Sequence, residues 1–92
     1  MALSSADVAG QLRLERQHLV KANQNIEEGR KRLVDQEQRL ATLLSSRHDT
    51  HQAERFIDLL KRILAQWERH RFLIEQRVGY LEAQFDRPSP GA

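Results

Sequence analysis

The stretch HDTH sets His48 and His51 on either side of Asp49 and Thr50, and two imidazoles at such spacing could begin a metal site. A defensible centre needs three or four ligands, and only these two histidines are close in sequence. The residues are expected instead to serve a bend. His48 packs there, Asp49 or Thr50 accepts from the unpaired first-turn amides of a helix, and His51 is solvated. Gln52 stands three after Asp49, in capping-box register. A second candidate is ERQH, where Glu15 and His18 have the E-x-x-H spacing of dimetal-carboxylate bundles. A homodimer would present it twice, with Glu75 as the nearest facing carboxylate. The same residues read more simply as a solvated ion-pairing face, so no metal or cofactor is expected.

The run GRKR brings Arg30, Lys31 and Arg32 together, and a hairpin would set Lys61 and Arg62 at about their level. Such a belt could meet phosphate, as in a nucleic-acid-associated regulator. Glu27, Glu28, Asp35 and Asp58 lie within reach to blunt it, and no stacking aromatic is interleaved, so a nucleic-acid partner is not expected. Ser4, Ser5, Ser45 and Ser46 read as caps and end residues. With no glycine-rich phosphate loop and no deep pocket in view, the chain is not expected to be an enzyme.

These residues sit on two long helical segments. From Val8 to Leu44 there is no proline, and Leu12, Leu19, Ile26, Leu33 and Leu40 recur every seven residues. The companion row, Glu15, Ala22, Gly29, Gln36 and Leu43, is mostly small or polar. In the second segment Ile57, Leu64, Arg71, Val78 and Phe85 form one row, and Leu60, Trp67, Ile74 and Leu81 the other. His70 and Arg71 break the apolar pattern: either they fix register as a polar layer, or the Arg71 stem lies along the core with its head in water. Both prolines stand in DRPSPGA, which ends the second segment near Asp86.

The fold class expected is therefore all-α. It is an antiparallel two-helix hairpin, coiled-coil-like, with helices at about residues 6–44 and 50–86 and a bend at 45–49. Residues 1–5 are expected to be a flexible N-terminus and 87–92 a disordered tail. Folding about residue 47 brings Leu33 near Leu60, Ile26 near Trp67, Leu19 near Ile74 and Leu12 near Leu81. Gly29 and Ala22 then leave room for the indole. A buried Trp67 there would make Trp67→Ala cost about 3 to 5 kcal/mol.

Phe56, Leu59, Ile63, Phe72, Leu73 and Tyr80 lie outside the rows and widen the second helix's apolar surface beyond what one neighbour can cover. A hairpin alone encloses no interior. Dimerisation into a four-helix bundle is the expected remedy, through an interface of Phe56, Leu59, Ile63, Trp67, Arg71, Phe72, Ile74, Val78 and Leu81. A further protein partner could use the same surface.

Composition agrees with long solvated helices. The 92 residues are 39% hydrophobic and 30% charged but only 5% aromatic. A net charge of +2 divides evenly, residues 1–49 holding 8 Lys/Arg against 7 Asp/Glu and residues 50–92 holding 7 against 6. That excess gives a weak field for nucleic acid or anionic lipid. With no cysteine, no leader-like start and no run of about 20 apolar residues, a cytoplasmic chain without membrane association is expected.

The pattern NIEEGRKRLVDQEQRLATLLSSRHDTHQAERFIDLL, followed by ERHRFLI, resembles a group of small proteins of unknown activity abundant in rhizobia and related alphaproteobacteria. The resemblance rests on Ile26, Glu28 and Gly29, then Gln36, Leu40 and Leu43. It continues with His48, Asp49, Thr50, Ala53 and Glu54, and ends at His70 with Arg71. It covers about residues 23 to 75 and implies a helical hairpin, with no catalytic residues to transfer. Arg47 stands where such sequences often have glycine, so the first helix is expected to end without a left-handed glycine cap. The functional expectation is a non-enzymatic interaction or assembly module acting as a homo-oligomeric bundle. The alternatives are a nucleic-acid-associated regulator and a small dimetal bundle.

Overall fold

A computed structural model describes residues 4–86. It consists of α1, Ser5–Ser45, and α2, His51–Phe85, packed antiparallel, with no strand among the described residues. α1 starts at a reciprocal cap. The Ser4 hydroxyl accepts from the Asp7 amide at 3.1 Å, and the Asp7 carboxylate accepts from the Ser4 amide at 3.4 Å. Two donors at the helix start are thereby satisfied, with Ser4 as the cap and Ser5 as the first helical residue. Residues 1–3, and the tail expected at 87–92, lie outside the described residues.

The bend is built by the backbone more than by side chains. Arg47 takes φ 58°, its amide donates to the Leu44 carbonyl at 3.2 Å, and the His48 amide donates to the Leu43 carbonyl at 3.0 Å. These two bonds close the end of α1 as a Schellman turn. The cap is left-handed although glycine is absent, because the reversal needs both bonds, and Arg47 carries the steric cost of a Cβ there. Thr50 is the N-cap of α2 in helical geometry, and its hydroxyl donates to Glu54 Oε1 at 3.1 Å instead of accepting from the helix. Asp49 supplies the acceptor, taking the His51 amide at 3.0 Å. The capping box expected with Gln52 does not form: with Thr50 at the cap, the third helical residue is Ala53, which has no polar side chain.

Between the helices lies one narrow core. Val8, Leu12, Ala22, Ile26 and Gly29 of α1 are buried against Ile57, Leu60, Leu64, Ile74, Val78 and Leu81 of α2. Ile26 and Ile74 are the most enclosed, each 1% exposed. Burying a large aliphatic side chain contributes about 1.5–3 kcal/mol, so these heptad rows hold the hairpin. Leu33, Leu40 and Leu43 are only half-buried. The register is the one implied by folding near residue 47: Gly29 meets Leu64 and Trp67, Arg30 meets Glu68, and Arg16 meets Glu82. The result is a rod of 74 × 18 × 14 Å. Phe85, at its far end, stays more than half exposed.

Candidate assembly surface

A helix in a pair has two flanks beside its buried seam, and in this hairpin they differ in chemistry. One is ionic. Arg16 Nη2 lies 3.2 Å from Glu82 Oε1, and Arg30 Nη2 lies 3.0 Å from Glu68 Oε1, both across the helix pair. Between them Arg71 is half-buried, its guanidinium reaching Glu75 at 3.5 Å and Asn23 at 3.4 Å. Its stem lies in the seam while its head is held at the edge, which suits a snorkelling side chain. Lys31 pairs with Glu27 at 3.5 Å on its own helix. Two members of the expected belt, Arg30 and Lys31, are therefore neutralised. Arg32, Lys61 and Arg62 form no ion pair among the described residues.

The metal candidates come apart in three dimensions. Glu15 Oε2 is buried, 3.3 Å from Arg77 Nε and 3.7 Å from His18 Nδ1. A guanidinium thus occupies the place that a second metal carboxylate would need. Glu75, expected to face Glu15, pairs with Arg71 on the ionic flank, because it projects from the other side of α2. At the bend, Asp49 Oδ1 lies 2.7 Å from His51 Nδ1, while His48 is exposed. The His51 amide and ring together hold the Asp49 carboxyl below the usual carboxylate range; the Asp49 carboxylate in turn raises the His51 imidazole. Among the described residues no three His, Asp or Glu side chains converge on one point.

The second flank is apolar along α2. Phe56, Leu59, Leu73 and Tyr80 all stay exposed, Leu73 at 50% and Tyr80 at 63%, and half-buried Ile63 lies on the same line. Their spacing alternates threes and fours with Gln66, His70 and Arg77, so they form a second heptad stripe rotated from the one that packs on α1. α1 contributes Leu14, which joins Leu73 and Tyr80 in a shallow groove. Elsewhere α1 offers this flank polar side chains such as His18, Lys21 and Asn25.

The interface expected from sequence is accordingly redrawn. Ile74, Val78 and Leu81 are spent in the hairpin's own core, because the rows that pack on α1 cannot also meet a second chain. Arg71 is engaged on the ionic flank. Phe72 is exposed, but helical geometry sets it about 120° around α2 from the stripe. Trp67 rests its ring against Gly29 and remains 36% exposed, at the seam's edge instead of within it. Phe56, Leu59 and Ile63 remain on the stripe, joined by Leu73 and Tyr80. Leu14 and the Glu15–Arg77 pair escaped sequence reasoning: one apolar residue in a polar row has no period, and a cross-helix ion pair requires the register. The Ser4–Asp7 box was readable as S-x-x-D before an apolar row.

No protein family, curated protein or solved structure matches the chain. No described helix is long and apolar enough to cross a membrane.

Proposed function

We propose that this chain is a non-enzymatic assembly module whose hairpins associate with one another through the apolar stripe of α2. The carrying observation is that Phe56, Leu59, Leu73 and Tyr80 lie exposed in one helical line, although α1 already covers the other apolar rows. Large apolar side chains scattered singly need no explanation; several of them at heptad spacing along one flank, even with Gln66, His70 and Arg77 between them, call for a covering surface. Association would also enlarge the core of a chain that buries little by itself.

Sedimentation equilibrium tests this reading. The protein is expected to exceed 10.8 kDa at micromolar concentration. Leu59→Glu with Leu73→Glu is expected to return it to one chain while circular dichroism stays helical, since neither residue belongs to the core. A monomeric parent protein overturns the proposal. The nucleic-acid alternative keeps Arg32, Lys61 and Arg62 as its free cations, but loses Arg30 and Lys31 to neighbouring carboxylates.

A further inference from the structure

Resting on that reading, we infer that the occupant of the stripe is α2 of a second copy, running antiparallel, with the two-fold axis at the level of Glu68. The order of residues along the stripe sets this register. In an antiparallel helix pair, each layer joins a residue of one heptad row to a residue of the other row on the partner copy. With the axis at Glu68, Phe56 meets Tyr80 and Ile63 meets Leu73. Leu59 meets Arg77, and Gln66 meets His70. Each pair occurs twice, as a closed two-fold interface requires.

This register matches like with like in the outermost, the second apolar and the central layers, and leaves Leu59 against the Arg77 stem. The aromatic rings and the branched aliphatics cover one another, and the two central polar layers face each other instead of burying an amide against a methyl group. Arg77 is already held at its head by Glu15 at 3.3 Å, so its stem is free to lie along Leu59 of the other copy. Moving the partner one heptad in either direction sets His70 against Leu59 or against Leu73, and separates Phe56 from Tyr80 in both cases. A parallel pair would set every residue against its own copy, including Arg77 against Arg77, a like-charge contact. Docking α2 on α1 of the other copy is disfavoured by composition, because Leu14 is the exposed large apolar residue that α1 brings to this flank.

Geometry gives an independent reason. Glu68 stands midway between His51 and Phe85, the ends of α2. A two-fold axis there lays the two helices flush, so the register that pairs the side chains is also the one of greatest overlap. A polar layer beside the axis, Gln66 with His70, would specify that register against slippage.

The chain has no cysteine, so introduced thiols report without background. Ile63→Cys combined with Leu73→Cys is expected to form a covalent dimer on mild oxidation, whereas each single variant is not. Residues 63 and 73 of one helix are about 15 Å apart along the axis. That excludes a bond within one chain, and the same offset separates like residues of the two copies, beyond the reach of about 7 Å for a disulfide. Phe56→Cys with Tyr80→Cys tests the outermost layer at two exposed positions, in case the substitution at half-buried Ile63 unfolds the protein. Cross-linking by either single Ile63 or Leu73 variant, or failure of both double variants in a protein that sediments as a dimer, overturns the register while leaving the assembly reading standing. A monomer overturns both.

Discussion

Gly29 shows what a single missing methyl group does. A Cβ built there would lie 2.7 Å from Leu64 Cδ2 and 3.0 Å from Trp67 Cζ3, so the close passage of the helices at this level depends on its absence. Glycine in a helix interior costs about 1 kcal/mol relative to alanine. Gly29→Leu is expected to destabilise the protein nonetheless, by about 1–3 kcal/mol, because overpacking must push Leu64 out of a buried site. Trp67→Ala is expected to cost about 2 kcal/mol, below the range of about 3 to 5 for a fully buried ring, since part of the indole already faces water. Ile26→Ala should cost more than Trp67→Ala, despite removing fewer atoms, because Ile26 is enclosed on all sides. Urea unfolding at one fixed protein concentration ranks the three; a Trp67→Ala loss exceeding that of Ile26→Ala would place the indole in the core after all.

At the scale of the elements, the bend determines where one helix stops and the next begins. Arg47 holds a left-handed conformation that costs a residue with a Cβ about 1–2 kcal/mol. Arg47→Gly removes that cost but gives the unfolded chain more freedom, and a net gain of about 0.5–1 kcal/mol is expected in the same unfolding experiment. A loss would show that the Arg47 side chain has a role beyond its backbone angles. The neighbouring Asp49–His51 contact carries a pH dependence whose sign follows from the two displaced groups. The Asp49 carboxyl is lowered, so its contribution is present above the ordinary carboxylate value and disappears as pH falls through its own depressed one. The His51 ring is raised, so its contribution is present below the ordinary imidazole value and disappears as pH rises through its own elevated one. Both therefore operate between about pH 4 and about 6.5. Each group is solvent-exposed, and added salt should weaken the effect. A proton NMR titration is expected to show His51 titrating above the ordinary imidazole value, with the elevation diminished by Asp49→Asn.

For the molecule as a whole, the two flanks differ in chemistry, one lined with ion pairs and the other with exposed apolar side chains. Changing Arg30, Lys31 and Arg32 together to Glu sets a carboxylate against Glu68 and removes the pair with Glu27. Exposed ion pairs contribute at most about 1 kcal/mol each, so a modest loss of stability with an unchanged oligomer is expected from sedimentation. Disruption of the oligomer by this change would move the contact surface to the ionic flank. If the belt instead binds nucleic acid, the parent protein should show salt-steep DNA or RNA binding in fluorescence anisotropy, and the triple change should abolish it.

The seven-residue rows of Leu12 to Leu40 and Ile57 to Val78 were enough to specify two helices, their antiparallel order and their level relative to each other. The rows supply the faces to be buried, and the short connection between Ser45 and His51 together with the similar helix lengths leaves the antiparallel order at this level. The polar turn at residues 45–49 was legible for a similar reason, since short side chains that bond to nearby backbone interrupt a helix wherever they cluster. Side-chain destinations were not legible in the same way. Whether Glu15 faced a metal-binding carboxylate or Arg77, whether Glu75 lay beside it or across the molecule, and whether Ile74 and Leu81 were free for a partner all depended on the rotation of each helix about its axis. A heptad pattern leaves that rotation loose by tens of degrees, enough to move a flanking side chain from the seam to the surface. Cross-helix packing removed the freedom: with Gly29 seated against Leu64 and Trp67, the apolar stripe of α2 was turned outward on one flank and the ion pairs were gathered on the other.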